Sequence, residues 1–241
     1  TLIGRGWLGA PLVKTLEDNR YNVQYTTTTP KKEGILFDIL NDDIPSVILK
    51  CDILIYCIPP LPLEKIKPFF SHFKNDQKII FISSTSVYGK SQGKTNEQSI
   101  RLPETENGKN LKVTEDFLTS HFKYATIIRP GGLYGNGRHP VHFLKGRKCL
   151  TNGDEYLHLA HLDDCLGAIV SIINYRVWGE TFNLVSDLKM KKSQYYPFVA
   201  NKLGLQSPSY EKHNISQPTE IDNQKSKTML LIKYKNPLED L

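Results

Sequence analysis

The chain has 241 residues, 39% of them hydrophobic, and 31 Lys and Arg against 25 Asp and Glu give it a formal net charge of +6. That length suits one large domain, or one domain with a small appended lobe, with ample chain to bury a core. No run reaches the roughly 18 apolar residues of a membrane span. The lysines are scattered rather than massed, so the charge fits a positive pocket for an anionic small molecule better than a membrane or nucleic-acid partner.

The first segment, TLIGRGWLGAPL, puts an apolar strand (Leu2–Ile3) before Gly4-x-Gly6-x-x-Gly9 and a helical pattern over Leu8–Leu16 after it. Glycines at this spacing allow a tight turn, a close backbone approach to a pyrophosphate and close helix–strand packing, while the helix start offers N–H groups to phosphate. An ordinary β–α turn uses the same glycines. The strand is short, and a few residues including an initiator Met are expected to precede Thr1; no signal peptide is visible.

A second strand is expected over Asn22–Thr27, and a third over Ile35–Phe37. The end of the second strand, QYTTTTPKK, lacks the acid that would hold the ribose of NAD. Thr26 to Thr29 can bond a 2′-phosphate and Arg5, Lys31 and Lys32 supply charge, which favours NADP over NAD; a solvated turn is the alternative. The runs CDILIYCIPP and QKIIFISS hold strands Asp52–Cys57 and Lys78–Ser83, nearly continuous in apolar residues as in strands covered on both faces. Helices are expected at Leu63–Phe73 and Leu111–His121, and a strand at Tyr124–Ile128.

After about Gly131 the alternation breaks. GGLYGNGRHP reads as a glycine-rich loop, Asp163–Ile173 as a helix, ETFNLVS as a strand and Ser193–Leu203 as an amphipathic helix. The polar tail from Ser207 ends in an expected short strand at Met229–Ile232. The fold class is therefore α/β: a Rossmann-type doubly wound parallel sheet with a small C-terminal substrate lobe. The division is drawn at residues 1–135 for the nucleotide-binding domain and 136–241 for the lobe, with the elements near 160–186 as candidates to return to the first domain. Cys51, Cys57, Cys149 and Cys165 fall in apolar surroundings without metal-ligand spacing, and read as reduced core thiols of a cytoplasmic protein with no metal.

IIFISSTSVYG (79–89), IIRPGGLYGNGR (127–138) and HLAHLDDCLGAI (158–169) together resemble the extended short-chain dehydrogenase/reductase superfamily, the NAD(P)-dependent epimerase/dehydratase group. Within it, YGNGRHPVHFLKG, FNLVSDLKMKKSQYYPFVANKLGL and KYKNPLEDL resemble the atypical YeeZ-like subgroup. The resemblance implies that Gly4, Arg5, Gly6, Trp7, Leu8 and Gly9 hold the pyrophosphate, and that Thr27 and Thr28 sit by the adenine ribose. It further implies Asp38 by the adenine, Ile58 and Pro59 along the ribose, and Pro130 near the nicotinamide. Close members often carry Arg where Thr28 stands.

Family chemistry uses a Ser or Thr, a Tyr and a Lys, the last two spaced Tyr-x-x-x-Lys. Counting back from Val87-Tyr88-Gly89 places the orienting hydroxyl at Ser84, with Ser83 and Thr85 as alternatives. Anchoring ENGKNLKVTEDFL on Glu115 puts Asn107 at the Tyr position and Leu111 at the Lys position. Neither can move a proton, and Lys109 and Lys112 lie off that face. Candidate replacements are Tyr88, Tyr134, Arg138 to clamp an anion and His139 to titrate near neutrality; packing and turn roles are the alternatives. His161 and Asp163 read as a helix cap. An oxidoreductase or epimerase/dehydratase-like enzyme on a small polar substrate is expected. A non-catalytic NADP(H)-binding sensor is the other class, and the paired helices of this fold leave a homodimer open.

Overall fold

A computed structural model describes residues 1–30, 33–90, 92–211 and 217–239. Its strands are β1 (Leu2–Ile3), β2 (Thr26–Thr27), β3 (Ile35–Leu36), β4 (Ile53–Tyr56), β5 (Lys78–Ile82), β6 (Lys94–Thr95), β7 (Tyr124–Pro130), β8 (Gly132–Tyr134), β9 (Leu159–His161), β10 (Thr181–Leu184) and β11 (Glu220–Ile221). Its helices are α1 (Gly9–Asp18), α2 (Ser46–Leu49), α3 (Leu63–Phe70), α4 (Glu106–His121), α5 (Val141–Leu144), α6 (Leu162–Tyr175), α7 (Lys192–Lys202) and α8 (Gln224–Met229). Among the described residues no helix is long and apolar enough to cross a membrane, and no group of three or more His, Cys, Asp or Glu could hold a metal ion.

The chain forms two compact units. The first comprises Thr1–Val87, Pro103–Arg129 and Leu166–Phe182; the second comprises Tyr88–Leu102, Pro130–Cys165 and Asn183–Leu241. Three of the boundaries fall inside β7, α6 and β10.

The first unit is built on a sheet in the order β1-β4-β5-β7-β10, with β1, β4, β5 and β7 paired in parallel. The parallel pair β2–β3 extends it beyond β1 through a bridge from Leu2 to Tyr25. The resulting 3-2-1-4-5 run reverses direction at β1, where the crevice outside the strand ends takes ligands in folds of this kind. Ile79, Ile80 and Leu54 are fully buried, which explains the unbroken apolar runs of β4 and β5. Tyr56 on β4 packs on Phe70 of α3 and Phe81 of β5, with ring centroids 5.3 and 5.5 Å away.

The second unit has a core of its own. Tyr134 of β8, Leu159 of β9, and Tyr195 and Val199 of α7 are buried in one cluster, and the unit holds the parallel pairs β8–β9 and β11–β6. The tail from Tyr234 to Leu238 is fastened to this unit through its main chain: Tyr134 donates to the Lys235 carbonyl, Tyr195 to that of Pro237 and Lys202 to that of Leu238.

Five expectations change. The strand expected at Met229–Ile232 is absent, because α8 ends at Met229 and Leu231 sits at a left-handed φ of 57°, which breaks an extended run. Asn22–Thr27 contracts to Thr26–Thr27. Gly132–Tyr134, read as loop, is strand β8, since long-range pairing with β9 supplies its hydrogen bonds. Helix α4 starts five residues before the expected Leu111, at a cap where the Thr105 side chain accepts from the Gly108 N–H. Of the four cysteines, all free, Cys165 is buried but Cys149 is exposed, so the core reading does not hold for Cys149.

Candidate functional site

The glycine loop joins β1 to α1 in the first unit. Gly4 has φ +99°, and a Cβ there would come within 2.4 Å of Ile58. A Cβ on Gly9 would lie 2.1 Å from the Gly4 carbonyl oxygen, so α1 can press against the loop only without a side chain at that position. A Cβ on Gly6 would meet nothing within 4 Å. The loop is thus closed from behind by Gly4 and Gly9 and open at Gly6. Helix α1 begins with no side-chain cap and no acid in its first turn, which leaves its positive end to the space in front of the loop.

That space is a cavity of about 540 Å³ lined by Gly4, Arg5 and Gly6 of the loop. Thr27 and Thr28 after β2, Asp38 after β3, and Ile58 and Pro59 after β4 line it as well. Leu8 is buried instead, Trp7 and Gly9 are not in the lining, and Pro130 belongs to the second unit. Lys31 and Lys32 lie outside the described residues. Sequence reasoning missed the special place of Thr26, which is 2% exposed. Its hydroxyl oxygen accepts from the Gly4 N–H at 3.1 Å and fixes the loop from below, whereas Thr28 and Thr29 are exposed. The Asp38 carboxylate accepts from the Leu40 N–H and the Asn41 amide; these bonds, Leu40 foremost, hold it below the usual carboxylate range.

Ser84 follows β5 in the same unit. Its Oγ accepts from the Ser86 N–H at 3.1 Å, which opens the 3-10 turn Thr85–Val87. Ser83 turns inward and donates to Glu115 of α4. Glu115 in turn takes a forked contact from Arg129, whose Nε lies 3.1 and 3.2 Å from its two oxygens and whose Nη2 lies 2.7 Å from Oε2. The two side chains are 1% and 4% exposed. A cation inside the apolar strand YATIIRP was the available signal for this pair, since such a charge must be matched. Helix α4 contains no Tyr. Asn107 is exposed and Leu111 is buried, while Lys109 and Lys112 pair with Glu106 and Asp116 of the same helix at 3.7 and 3.6 Å.

The other candidates lie in the second unit. Arg138 is exposed, at the end of a turn in which Asn136 and Gly137 have φ 46° and 73° and Gly135 and Arg138 exchange main-chain hydrogen bonds. Two positive φ values and an Asn-Gly pair make this a type I′ turn. Tyr134 is fully buried between rings, with centroids 4.9 Å from His161 and 6.0 Å from His139. Tyr88 is buried, donating to Asn183 at 2.7 Å.

His139 is 6% exposed. Its Nδ1 accepts from the Val141 N–H, so Nε2 carries the hydrogen toward the Tyr195 oxygen 2.9 Å away. Burial pushes its pKa down to about 4, which corrects the expectation that it titrates near neutrality. His161 Nδ1 accepts from the Asp163 N–H at 3.0 Å, at the start of α6. Asp164, one residue on, is pushed up to about 6 by burial and accepts from the Lys235 N–H.

These shifts set a pH dependence. His139 and His158 both fall to about 4 when folded, from 6.5, so the unfolded chain binds the extra protons and stability drops as pH falls from 6.5 to 4. Asp164, raised from 3.8 to about 6, acts in the opposite sense over pH 6 to 4. Two histidines outweigh one carboxyl, and urea unfolding should lose about 3 kcal/mol between pH 7 and 4.5. His139→Gln should remove part of that slope; an unchanged slope would show that His139 does not contribute.

A glycine loop at the reversal point of a 3-2-1-4-5 parallel sheet defines a Rossmann-type fold. No family model matches the chain. Protein YeeZ of Escherichia coli K12 is 30% identical over 237 residues, covering 87% of this chain and 85% of that one. The chain belongs to the YeeZ family. Among solved structures, MoeE5 with UDP-glucuronic acid and NAD matches with a TM-score of 0.79 at 16% identity, over 99% of this chain and 94% of that one. The UDP-glucuronic acid 4-epimerase of Bacillus cereus matches with a TM-score of 0.78 at 19% identity, over 99% and 95%.

Proposed function

We propose that the first unit binds NADP in preference to NAD, and that the protein is an oxidoreductase or epimerase/dehydratase-like enzyme for a small polar substrate. The observation that carries this is the loop at Gly6, where the backbone faces an open cavity and a Cβ would meet nothing. Residues present there fit the group. The loop backbone and the start of α1 would hold the pyrophosphate, Asp38 the adenine edge, Ile58 and Pro59 the ribose. Arg5, Thr28, Thr29 and Lys31 would favour a 2′-phosphate. The bound nicotinamide supplies hydride transfer.

Ser84 is the first unit's candidate for orienting a substrate oxygen; its Oγ accepts one main-chain hydrogen bond and its proton can be donated. In the second unit Arg138, on its type I′ turn, would grip an anionic group. Uridine diphosphate sugars, such as those held by MoeE5 and the Bacillus enzyme, offer such a group. Tyr134 and His139 would hold the turn rather than exchange protons, because both are buried and His139 is neutral at physiological pH. By this reading, residues 1–135 supply the nucleotide-binding part and 136–241 much of the substrate lobe.

A non-catalytic NADP(H) sensor is the second reading, favoured by one observation: α4 offers an exposed Asn107 and a buried Leu111 where the family keeps its proton relay. Titration of the protein with NADPH and NADH, read by nicotinamide fluorescence and thermal shift, tests the shared premise. Saturable binding with NADPH tighter is expected. No binding of either at millimolar concentration would remove the cofactor reading and both functions built on it.

A further inference from the structure

Among the described residues lining the cavity, Arg5 carries the only positive charge. An exposed arginine is long and adopts many rotamers, so its value to a ligand depends on what holds it. Here its guanidinium carbon stands 4.6 Å from the centroid of the Tyr25 ring. We infer that Tyr25 is a specificity-determining positioning residue: its ring is the platform that aims Arg5 at the 2′-phosphate of the nucleotide. The inference rests on the NADP reading above and adds a residue that does not itself line the cavity.

The platform is held on several sides. The Tyr25 main chain bridges Leu2 of β1 and accepts from the Ile35 N–H at 2.9 Å. The neighbouring Thr26 carbonyl accepts from the Arg5 N–H at 3.2 Å, so the two backbones are tied side by side. Gly34, at φ +114°, lies against the ring: a Cβ there would come within 2.6 Å of Cε2 and 2.7 Å of Cδ2. Only glycine leaves the ring room to lie there, whatever stands over its other face. The Tyr25 hydroxyl reaches the Glu33 carboxylate at 3.5 Å, which ties the one acid of this turn to the phenol.

A planar guanidinium stacks on an aromatic face and still presents its N–H fork to phosphate oxygens, which a lysine ammonium cannot reproduce. The contribution of the ring therefore appears only where a ligand carries the 2′-phosphate. Adenosine 2′,5′-bisphosphate and 5′-AMP probe that corner without the nicotinamide, alongside NADPH and NADH.

Arg5→Leu should weaken NADPH and the bisphosphate about tenfold and leave NADH and 5′-AMP within about twofold. Tyr25→Leu should weaken the 2′-phosphorylated ligands about threefold and the others not at all. Tyr25→Phe keeps the ring and should bind as the parent does, while Arg5→Lys should behave like Tyr25→Leu. Thermal melts establish that each variant is folded. If Tyr25→Leu weakens all four ligands equally, the ring serves the loop and not the phosphate, and the inference falls. It falls equally if Tyr25→Leu binds every ligand as the parent does. Preference of the parent protein for NADH would overturn the Arg5–Tyr25 assignment alone; failure to bind either dinucleotide would overturn the cofactor reading with it.

Discussion

Glu115→Gln should lower the unfolding free energy by about 3–5 kcal/mol, as expected when one partner of a buried ion pair is removed. At about 2–4 °C per kcal/mol for a chain of this size, the melting temperature should fall by roughly 10 °C. The magnitude follows from geometry. Arg129 is 3% exposed, its Nε and Nη2 are both satisfied by one carboxylate, and the variant leaves the full cation with a neutral amide. The Ser83 hydroxyl, which donates to the same carboxylate, loses its strong acceptor. The double variant Glu115→Leu, Arg129→Met removes both charges and should recover most of the loss. A drop below about 1 kcal/mol for Glu115→Gln, measured by urea unfolding, would mean the pair does not organise the ends of β5 and β7 around α4.

The second large effect separates two glycines of one loop. Gly9→Ala places a methyl 2.1 Å from the Gly4 carbonyl oxygen, so helix or loop must move, at a cost of about 1–3 kcal/mol. The displaced loop should bind NADPH at least about tenfold more weakly. Gly6→Ala adds the same methyl to open space. It should melt as the parent does yet lose NADPH affinity by a similar factor, because the methyl occupies the place proposed for the pyrophosphate. The contrast is the test: normal nucleotide binding by Gly6→Ala would show that the cavity in front of the loop is not where the phosphates go.

Much of the first unit was legible in the sequence because parallel strands buried on both faces leave unbroken apolar runs, as at Ile53–Tyr56 and Lys78–Ile82, and because glycine spacing is a local signal. The small strands of the second unit left no such trace. Gly132–Tyr134 has neither alternation nor β-branched residues, and only its partner Leu159–His161, some 27 residues away, makes it a strand. At the site, positions were readable and environments were not. His139 looked like a titrating residue because its identity is local, while the burial that moves it to about 4 depends on Tyr134 and Tyr195 from other elements. Tyr25 gave no signal at all, since what matters there is a ring lying against Gly34 with the Arg5 guanidinium beside it.

The tail of the second unit is recognised through carbonyl oxygens, by Tyr134, Tyr195 and Lys202, and every residue type carries that acceptor. These three contacts fix the chain path of residues 235 to 238, and the Lys235 ammonium on Asp163 and Leu238 against the buried cluster add side-chain contacts to them. A deletion of one residue would shift all three carbonyls out of register, whereas a substitution at the exposed Asn236 leaves them in place. In the divergence of relatives or in library design, length would be the more constrained property there.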